Sequence, residues 1–261
     1  MTEAEPPRVQ VFAGSEELTR AAAEEFVTCA SRGTAEAPCR IMLSGGTTPE
    51  PMYRLLASEP TRSRIDWNSV ECYFGDERPV PPDHPDSNYG LAKRLLLEPL
   101  GLRAPRTYRI RGEASDLTLS ARRYEALVRN RLAATPPADP SFDIVFLGLG
   151  EDGHTASLFP GVPIPDDPPR LVVAVWVDVF RTMRVTATYR LLNAASRVVF
   201  LVAGKEKANA VRRTLAPGPS EAPTPAALVR PTHGELIWFL DRAAASEYPK
   251  AAAGLLGLDQ R

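Results

Sequence analysis

The stretch Phe142-Asp143-Ile144-Val145-Phe146-Leu147-Gly148-Leu149-Gly150-Glu151-Asp152-Gly153-His154-Thr155-Ala156-Ser157-Leu158-Phe159-Pro160-Gly161 changes character halfway along. Its first half is a short apolar run, the pattern of a strand buried on both faces. Its second half turns to Gly, Asp, His, Thr and Ser. Gly148, Gly150 and Gly153 let the backbone turn tightly and approach other groups closely. In an open α/β sheet, ligands bind just beyond the carboxyl ends of the strands. A buried strand that runs into a loop bearing Asp152 and His154 therefore marks a candidate active site.

Two further segments have the same form. Arg40 to Leu43 reads as a strand and runs into Ser44-Gly45-Gly46-Thr47-Thr48-Pro49, where Thr48 is expected to cap a helix with Pro49 in its first position. Free N–H groups, two glycines and three hydroxyls make this an anion site sized for a monophosphate. It lacks the Gly-x-x-x-x-Gly-Lys pattern of a nucleotide loop. Arg197 to Ala203 is another apolar strand, and Gly204-Lys205-Glu206-Lys207 follows it at the start of a helix running to about Leu215. A third strand, Val70 to Phe74, leads into Gly75-Asp76-Glu77-Arg78. Arg78 can fix a polarised oxygen or a carboxylate, and Asp76 can orient a water or an imidazolium.

Working outward, Arg8 to Ala13 reads as a first strand. Gly14-Ser15 then opens a helix with Leu18, Ala22, Phe26 and Cys29 on one face and Gly33 as its expected C-cap. Leu91 and Leu95 mark a helix, Thr107 to Ile110 a short strand, and Asp116 to Leu132 a long helix. Thr135 to Pro140 reads as a stiff linker. Leu171 to Val177 is nearly all apolar and reads as a central parallel strand. Thr186 is expected to cap a helix reaching Ala195, and Arg184 stands just before it. A proline-rich surface loop spans Ala216 to Pro225. Leu236 to Leu240 is the last strand, followed by Asp241 and an Ala-rich helix. This alternation implies an α/β fold: three layers, α/β/α, with a mostly parallel Rossmann-like sheet and helices on both faces, in a single domain over 1–261.

Composition sets the bounds. The chain has 261 residues, 44% of them hydrophobic, and a net charge of −1. That balance argues against nucleic acid as a partner. No apolar run approaches membrane-spanning length and the N-terminus lacks the basic and apolar regions of a signal peptide, so no membrane partner and a cytoplasmic location are expected. The cysteines Cys29, Cys39 and Cys72 form no Cys-x-x-Cys pair and read as core residues. No His/Cys cluster has metal-ligand spacing and no Gly-x-Ser-x-Gly elbow is present, so neither a catalytic metal nor a serine hydrolase is expected.

Taken together, Ser44 to Pro49, Trp67 through Gly75-Asp76-Glu77-Arg78 to Asp86-Ser87-Asn88, Leu147 to Gly161, Arg184-Val185-Thr186, Gly204 to Ala208 and Trp238-Phe239-Leu240-Asp241 occur in an order that resembles the glucosamine-6-phosphate isomerase/6-phosphogluconolactonase family. Within it the chain is similar to the 6-phosphogluconolactonases. The resemblance implies hydrolysis of 6-phospho-D-glucono-1,5-lactone to 6-phosphogluconate in the oxidative pentose phosphate pathway, with no cofactor. It implies catalysis at His154 with Asp76 and Arg78 close by, the imidazole being oriented by Asp76 or Asp152. It also implies substrate and phosphate binding by Ser44, Gly45, Gly46, Thr47, Thr48, Gly153, Arg184 and Lys207. The partner is a small sugar-phosphate lactone, and the chain is expected to be a monomer or a weak homo-oligomer. The family often carries Lys-Pro-Pro before the arginine; here the segment is Asp178-Val179-Phe180-Arg181-Thr182-Met183. An amino-sugar phosphate deaminase or isomerase on the same fold is the main rival. Its loop carries a Glu five residues after the His, where this chain has Phe159, which cannot transfer a proton. A non-catalytic sugar-phosphate sensor is the other rival. It would need a DNA-binding segment, for which the residues before the first long helix are too few.

Overall fold

A computed structural model describes residues 6–101, 106–132, 139–164 and 169–249. Strands β1 (Arg8–Phe12), β2 (Cys39–Leu43), β3 (Val70–Phe74), β5 (Ile144–Leu147), β8 (Arg197–Val202) and β9 (Glu235–Asp241) form one sheet in the order β1-β9-β8-β5-β2-β3, and every pairing in it is parallel. Parallel neighbours need long crossovers, which lay helices on both faces and leave the strands wholly apolar. All residues of β3 and β5 are accordingly buried. Helix α1 (Ser15–Ala30) buries Leu18, Ala22, Phe26 and Cys29, and the Phe26 ring stacks on Phe146 of β5. Helix α2 (Glu50–Ala57) packs on α1. Asn88–Ala92 forms α3, which widens into a π turn (Lys93–Leu97) and ends in the short α4 (Glu98–Leu100). Helix α5 (Leu117–Arg131) is capped by the Asp116 carboxylate, which accepts from Leu119 N, and its Tyr124 hydroxyl bonds both backbone groups of Phe74.

A second, antiparallel sheet of order β4-β7-β6 comprises β4 (Asp76–Glu77), β6 (Val172–Val177) and β7 (Thr182–Ala187). Only Gly75 separates β4 from β3, and its carbonyl accepts from Ala187 N. The chain thus passes directly from the carboxyl end of a parallel strand into the antiparallel layer. Val173, Val175 and Val177 of β6 form a small apolar cluster with Phe159, separate from the main core. Among the described residues the remaining α-helices are α6 (Tyr189–Asn193) and α7 (Ala208–Leu215).

Several local expectations are corrected. The run at Leu171–Val177 is not a central parallel strand: β6 pairs only with β7, antiparallel, and its Trp176 is 50% exposed. Uniform apolarity here reflects burial of one face plus an exposed Trp, which periodicity cannot separate from two-sided burial. Thr186 caps no helix. It lies in β7 paired with Asp76, and α6 begins after Thr188, three residues before Leu192. Thr48 makes no capping bond either, since Pro49 occupies the N-cap position of α2. Helix α1 ends at Ala30 with Ser31 as C-cap; Gly33 is required instead because a Cβ there would overlap Ser69 O and Cys39 N. Thr107 to Ile110 contributes one bridge, Thr107 to Cys72, rather than a strand. The residues after Asp241 form successive turns, not a helix, as far as they are described. Most of the Thr135 to Pro140 linker lies outside the described residues. The three cysteines are free and buried, as expected.

Candidate active site

Four loops meet at the carboxyl ends of β8, β5, β2 and β3, which are consecutive neighbours in the sheet. Chain order reverses between β5 and β2, so the crevice lies where an open α/β sheet places its ligands. The loops enclose a cleft of about 200 Å³ lined by Ser44, Gly45, Gly46, Thr47, Thr48, Asp76, Arg78, Asn88, Gly148, Gly150, His154, Ala156 and Lys207, among others. A larger cavity of about 510 Å³ also has Phe159 in its wall, but among the described residues no Asp, Glu, His or Cys lines it. A proton-transfer reaction belongs in the smaller cleft.

The loop after β5 is folded around His154. Gly150 N donates to His154 O, Gly153 N to Gly150 O, and Thr155 Oγ1 to Gly148 O. A Cβ on Gly150 would overlap the imidazole, so the glycine makes room for the ring. Asp152 Oδ1 is 2.6 Å from His154 Nδ1 and also accepts from the His154 backbone N at 3.0 Å. Burial pushes the Asp152 carboxyl up, but these hydrogen bonds outweigh it and hold the group below its ordinary value. An ionised Asp152 accepts a hydrogen bond from Nδ1–H, which leaves Nε2 as the basic nitrogen. The opposite support is Phe159, whose ring stacks on His154 with centroids 4.1 Å apart and planes at 29°. Ala156 lines the same cleft at φ 48°, a left-handed conformation that costs a non-glycine residue about 1–2 kcal/mol and recurs at functional loops.

Asp76, the other candidate to orient His154, is engaged elsewhere. Its Oδ1 accepts from Asn88 Nδ2 at 2.9 Å and its Oδ2 from Ser157 Oγ at 2.6 Å. Placement explains the difference. Asp152 sits two residues from His154 on one turn, whereas Asp76 is fixed in β4 opposite Thr186. Asp76 still lines the cleft, and a carboxylate retains acceptor capacity after two bonds. Glu77, next to it, accepts from the backbone N of Arg78, Asn88 and Tyr89 and from Ser87 Oγ. Burial pushes its carboxyl up against those bonds. Glu77 thereby ties the Arg78 loop to the start of α3. Arg78 reaches the cleft and donates through Nη1 to Asp86 O at 2.6 Å.

The glycine–threonine loop is braced from below, since Tyr53 Oη donates to Ser44 O at 2.6 Å. Gly46 takes φ 90° and opens the N-terminus of α2 to the cleft. Gly45 is required for a different reason: a Cβ would overlap the Asn88 amide. On either side of it, Ser44 Oγ and Asn88 Oδ1 are buried without a hydrogen-bond partner. At the next strand end, Gly204 takes φ 104° and its N–H is held by the Asp241 carboxylate at 3.2 Å, placing the turn Lys205–Lys207 so that Lys207 faces the cleft.

Three expected site residues stand outside the cleft wall: Asp152, already described, Gly153 and Arg184. Gly153 takes φ 88° with Thr224 against its α-carbon, and its carbonyl accepts from Ala226 N, so it shapes the loop from behind rather than facing the cleft. Arg184 lies on β7, half-buried, with its guanidinium 5.4 Å from the Phe180 ring centroid. Desolvation, then the neighbouring Arg78, pull its ionisation down. The carboxylates of Asp76, Asp86 and Glu77 oppose that shift. Sequence reasoning gave no role to Asn88 or Ser157, and used Phe159 only as a mark against the deaminase. Their signal was contact across the fold: Ser157 N donates to Thr186 Oγ1 and Ser157 Oγ bonds Asp76, 81 positions away.

Comparison with known proteins places the chain in a family. The sequence profile described as glucosamine-6-phosphate isomerases/6-phosphogluconolactonase matches residues 13–238. A 6-phosphogluconolactonase of Nostoc sp. is 37% identical over 79% of this chain and 83% of its own length. The human 6-phosphogluconolactonase is 36% identical over 92% and 93%. Among solved structures, the 6-phosphogluconolactonase from Trypanosoma cruzi superposes with a TM-score of 0.81 at 29% identity, over 94% of this chain and 99% of that one. A monomeric glucosamine-6-phosphate deaminase shares the fold at a TM-score of 0.74, with 24% identity over 92% of this chain and 99% of that one. With its parallel sheet, its cleft at four strand ends and a profile match over most of its length, the chain belongs to the glucosamine-6-phosphate isomerase/6-phosphogluconolactonase family.

Proposed function

We propose that this chain hydrolyses 6-phospho-D-glucono-1,5-lactone to 6-phosphogluconate. The observation that carries the reading is the Asp152–His154 pair, 2.6 Å apart, opening onto the cleft that Lys207 and the Ser44–Thr48 loop share. Asp152 holds Nδ1, so Nε2 takes a proton from water as the water oxygen attacks the lactone carbonyl carbon. The carbonyl oxygen becomes an oxyanion, met by Arg78 or by N–H groups of the glycine loops. When the tetrahedral intermediate collapses, the bond from that carbon to the ring oxygen breaks. The imidazolium then returns its proton to the departing ring oxygen, so one water is consumed and the imidazole is regenerated. The Ser44 to Thr48 loop and Lys207 hold the phosphate, with Arg184 adding charge. Phosphate anchoring far from the reacting carbon supplies binding energy that orients the ring.

Phe159 speaks against the deaminase. It offers no proton-transferring group, and its ring is occupied in stacking on His154. The reading extends to a monomer or weak homo-oligomer acting in the cytoplasm. No helix among the described residues is long and apolar enough to cross a membrane. The direct test supplies the phosphorylated lactone and, separately, glucosamine 6-phosphate, with spontaneous lactone hydrolysis subtracted. Acid should be released rapidly from the first and no ammonia from the second. Ammonia at a rate comparable to acid production would overturn the assignment.

A further inference from the structure

The support of His154 does not come from the main core. Phe159, on which the imidazole stacks, belongs to the small cluster with Val173, Val175 and Val177, on the inner side of the β6–β7 hairpin. The hairpin turn, Asp178–Phe180 followed by Arg181 at φ 47°, is the segment in which this chain departs from the Lys-Pro-Pro pattern. Phe180 at its tip is 53% exposed, an unfavourable setting for so large an apolar ring. Its contacts are specific nonetheless. Its ring meets Phe159 edge to face, centroids 5.7 Å apart and planes at 75°. The Arg184 guanidinium lies over the same ring at 5.4 Å.

We propose that Phe180 is a positioning residue for both halves of the site: it closes the Phe159 platform under His154 and aims the Arg184 guanidinium at the anionic substrate. The proposal rests on the lactonase reading for its substrate, not for its geometry. Aromatic pairing confines the Phe159 ring, and the stacked imidazole follows it. A cation held over a π face loses little of its charge and much of its freedom, so Arg184 meets the phosphate or the developing oxyanion already placed. A leucine at 180 retains apolar contact with Phe159 but offers no π face to Arg184, so the two arms can be separated.

The experiment compares wild type with Phe180→Ala, Phe180→Leu and Phe180→Tyr. It measures kcat and KM on 6-phosphogluconolactone, affinity for 6-phosphogluconate by calorimetry, and melting temperature. Phe180→Ala should lower kcat about 2-fold to 10-fold, the range of an aromatic pair. It should raise KM and weaken 6-phosphogluconate about 2-fold to 5-fold, the range of an exposed cation–π contact. Phe180→Leu should recover kcat but not KM or affinity, and Phe180→Tyr should recover most of both. Because the ring is half-exposed, all three variants should melt near wild type. Unchanged constants in Phe180→Ala overturn the proposal, as does a Phe180→Leu variant with the same kcat as Phe180→Ala. A wild type that fails to hydrolyse the lactone refutes the lactonase reading instead. The Arg184 arm is then still decided by whether wild type binds 6-phosphogluconate more tightly than Phe180→Ala.

Discussion

Asp152 grips His154 twice with one oxygen: Oδ1 accepts from the imidazole Nδ1 at 2.6 Å and from the His154 backbone N at 3.0 Å. Ring and backbone are therefore fixed by the same atom. The imidazole cannot rotate without surrendering a charge-assisted bond, and Nε2 stays turned from the carboxylate.

His154 should be indispensable for turnover and dispensable for folding. A positioned proton-transfer group contributes about 10²–10⁴-fold. His154→Asn and His154→Ala should both lower kcat by that factor with KM nearly unchanged, because the phosphate is held by other loops. Steady-state kinetics and melting curves check this. An Asn variant with near-normal turnover would move the catalytic role to Asp76.

Replacing Asp152 by Asn keeps the shape of the turn but removes the charge that selects the tautomer. The amide can donate to Nδ1, which would leave the proton on Nε2 and disable the base. Asp152→Asn should therefore lower kcat about 10²–10⁴-fold, approaching the loss for His154 itself. Asp76→Asn, which leaves the imidazole pair intact, should lower kcat less. If the order is reversed, Asp76 rather than Asp152 supports the base.

The same carboxylate carries a sign for acid stability. Its folded ionisation lies below its ordinary value, about 3.9 in an unfolded chain. The stabilisation it confers is present above that value and is lost as pH falls through the lower folded one. The difference in unfolding free energy between wild type and Asp152→Asn should thus shrink as pH falls below about 4. It should be small, because the Asp152 side chain is 45% exposed. Denaturant titrations at several pH values measure it, and a difference that grows in acid would contradict the assignment.

Lys207 should read the phosphate and little else. Lys207→Ala should weaken binding of the phosphorylated lactone by about 1.5–3 kcal/mol, the range for a hydrogen bond to a charged group. The unphosphorylated lactone should lose far less. Competition by 6-phosphogluconate and by gluconate gives the same contrast without turnover. Equal losses for both would show that Lys207 does not touch the phosphate.

Gly45 and Gly46 should fail differently. A Cβ at Gly45 collides with the Asn88 amide, which cannot retreat because Asp76 holds it through both its carbonyl and its carboxylate. Gly45→Ala should cost about 1–3 kcal/mol by overpacking, and Asn88→Ala in the same chain should recover part of it. Gly46 has open space but φ 90°, so Gly46→Ala should cost about 1–2 kcal/mol by backbone strain and gain nothing from Asn88→Ala. Urea unfolding of the single and double variants separates the two causes.

Much of this was legible in the chain itself. The runs at Cys39–Leu43, Val70–Phe74, Ile144–Leu147 and Arg197–Val202 are apolar throughout apart from isolated polar positions, and each is followed by Gly or Ser, at once in the first three and after Ala203 in the last. Local composition is enough there, because a strand buried on both faces tolerates little else and a loop at its end needs glycine to turn. Those junctions fixed the site loops, and Asp152 lay within reach of His154 by proximity along the chain. The tertiary structure decided what depends on pairing. Leu171–Val177 and Thr182–Ala187 became an antiparallel hairpin because each buries one face and finds its partner in the other, a choice that apolarity alone does not encode. Asp76 was drawn from His154 to Ser157 and Asn88 by the register of β4 against β7. Phe159 acquired its place under the imidazole only when β6 supplied the valines behind it.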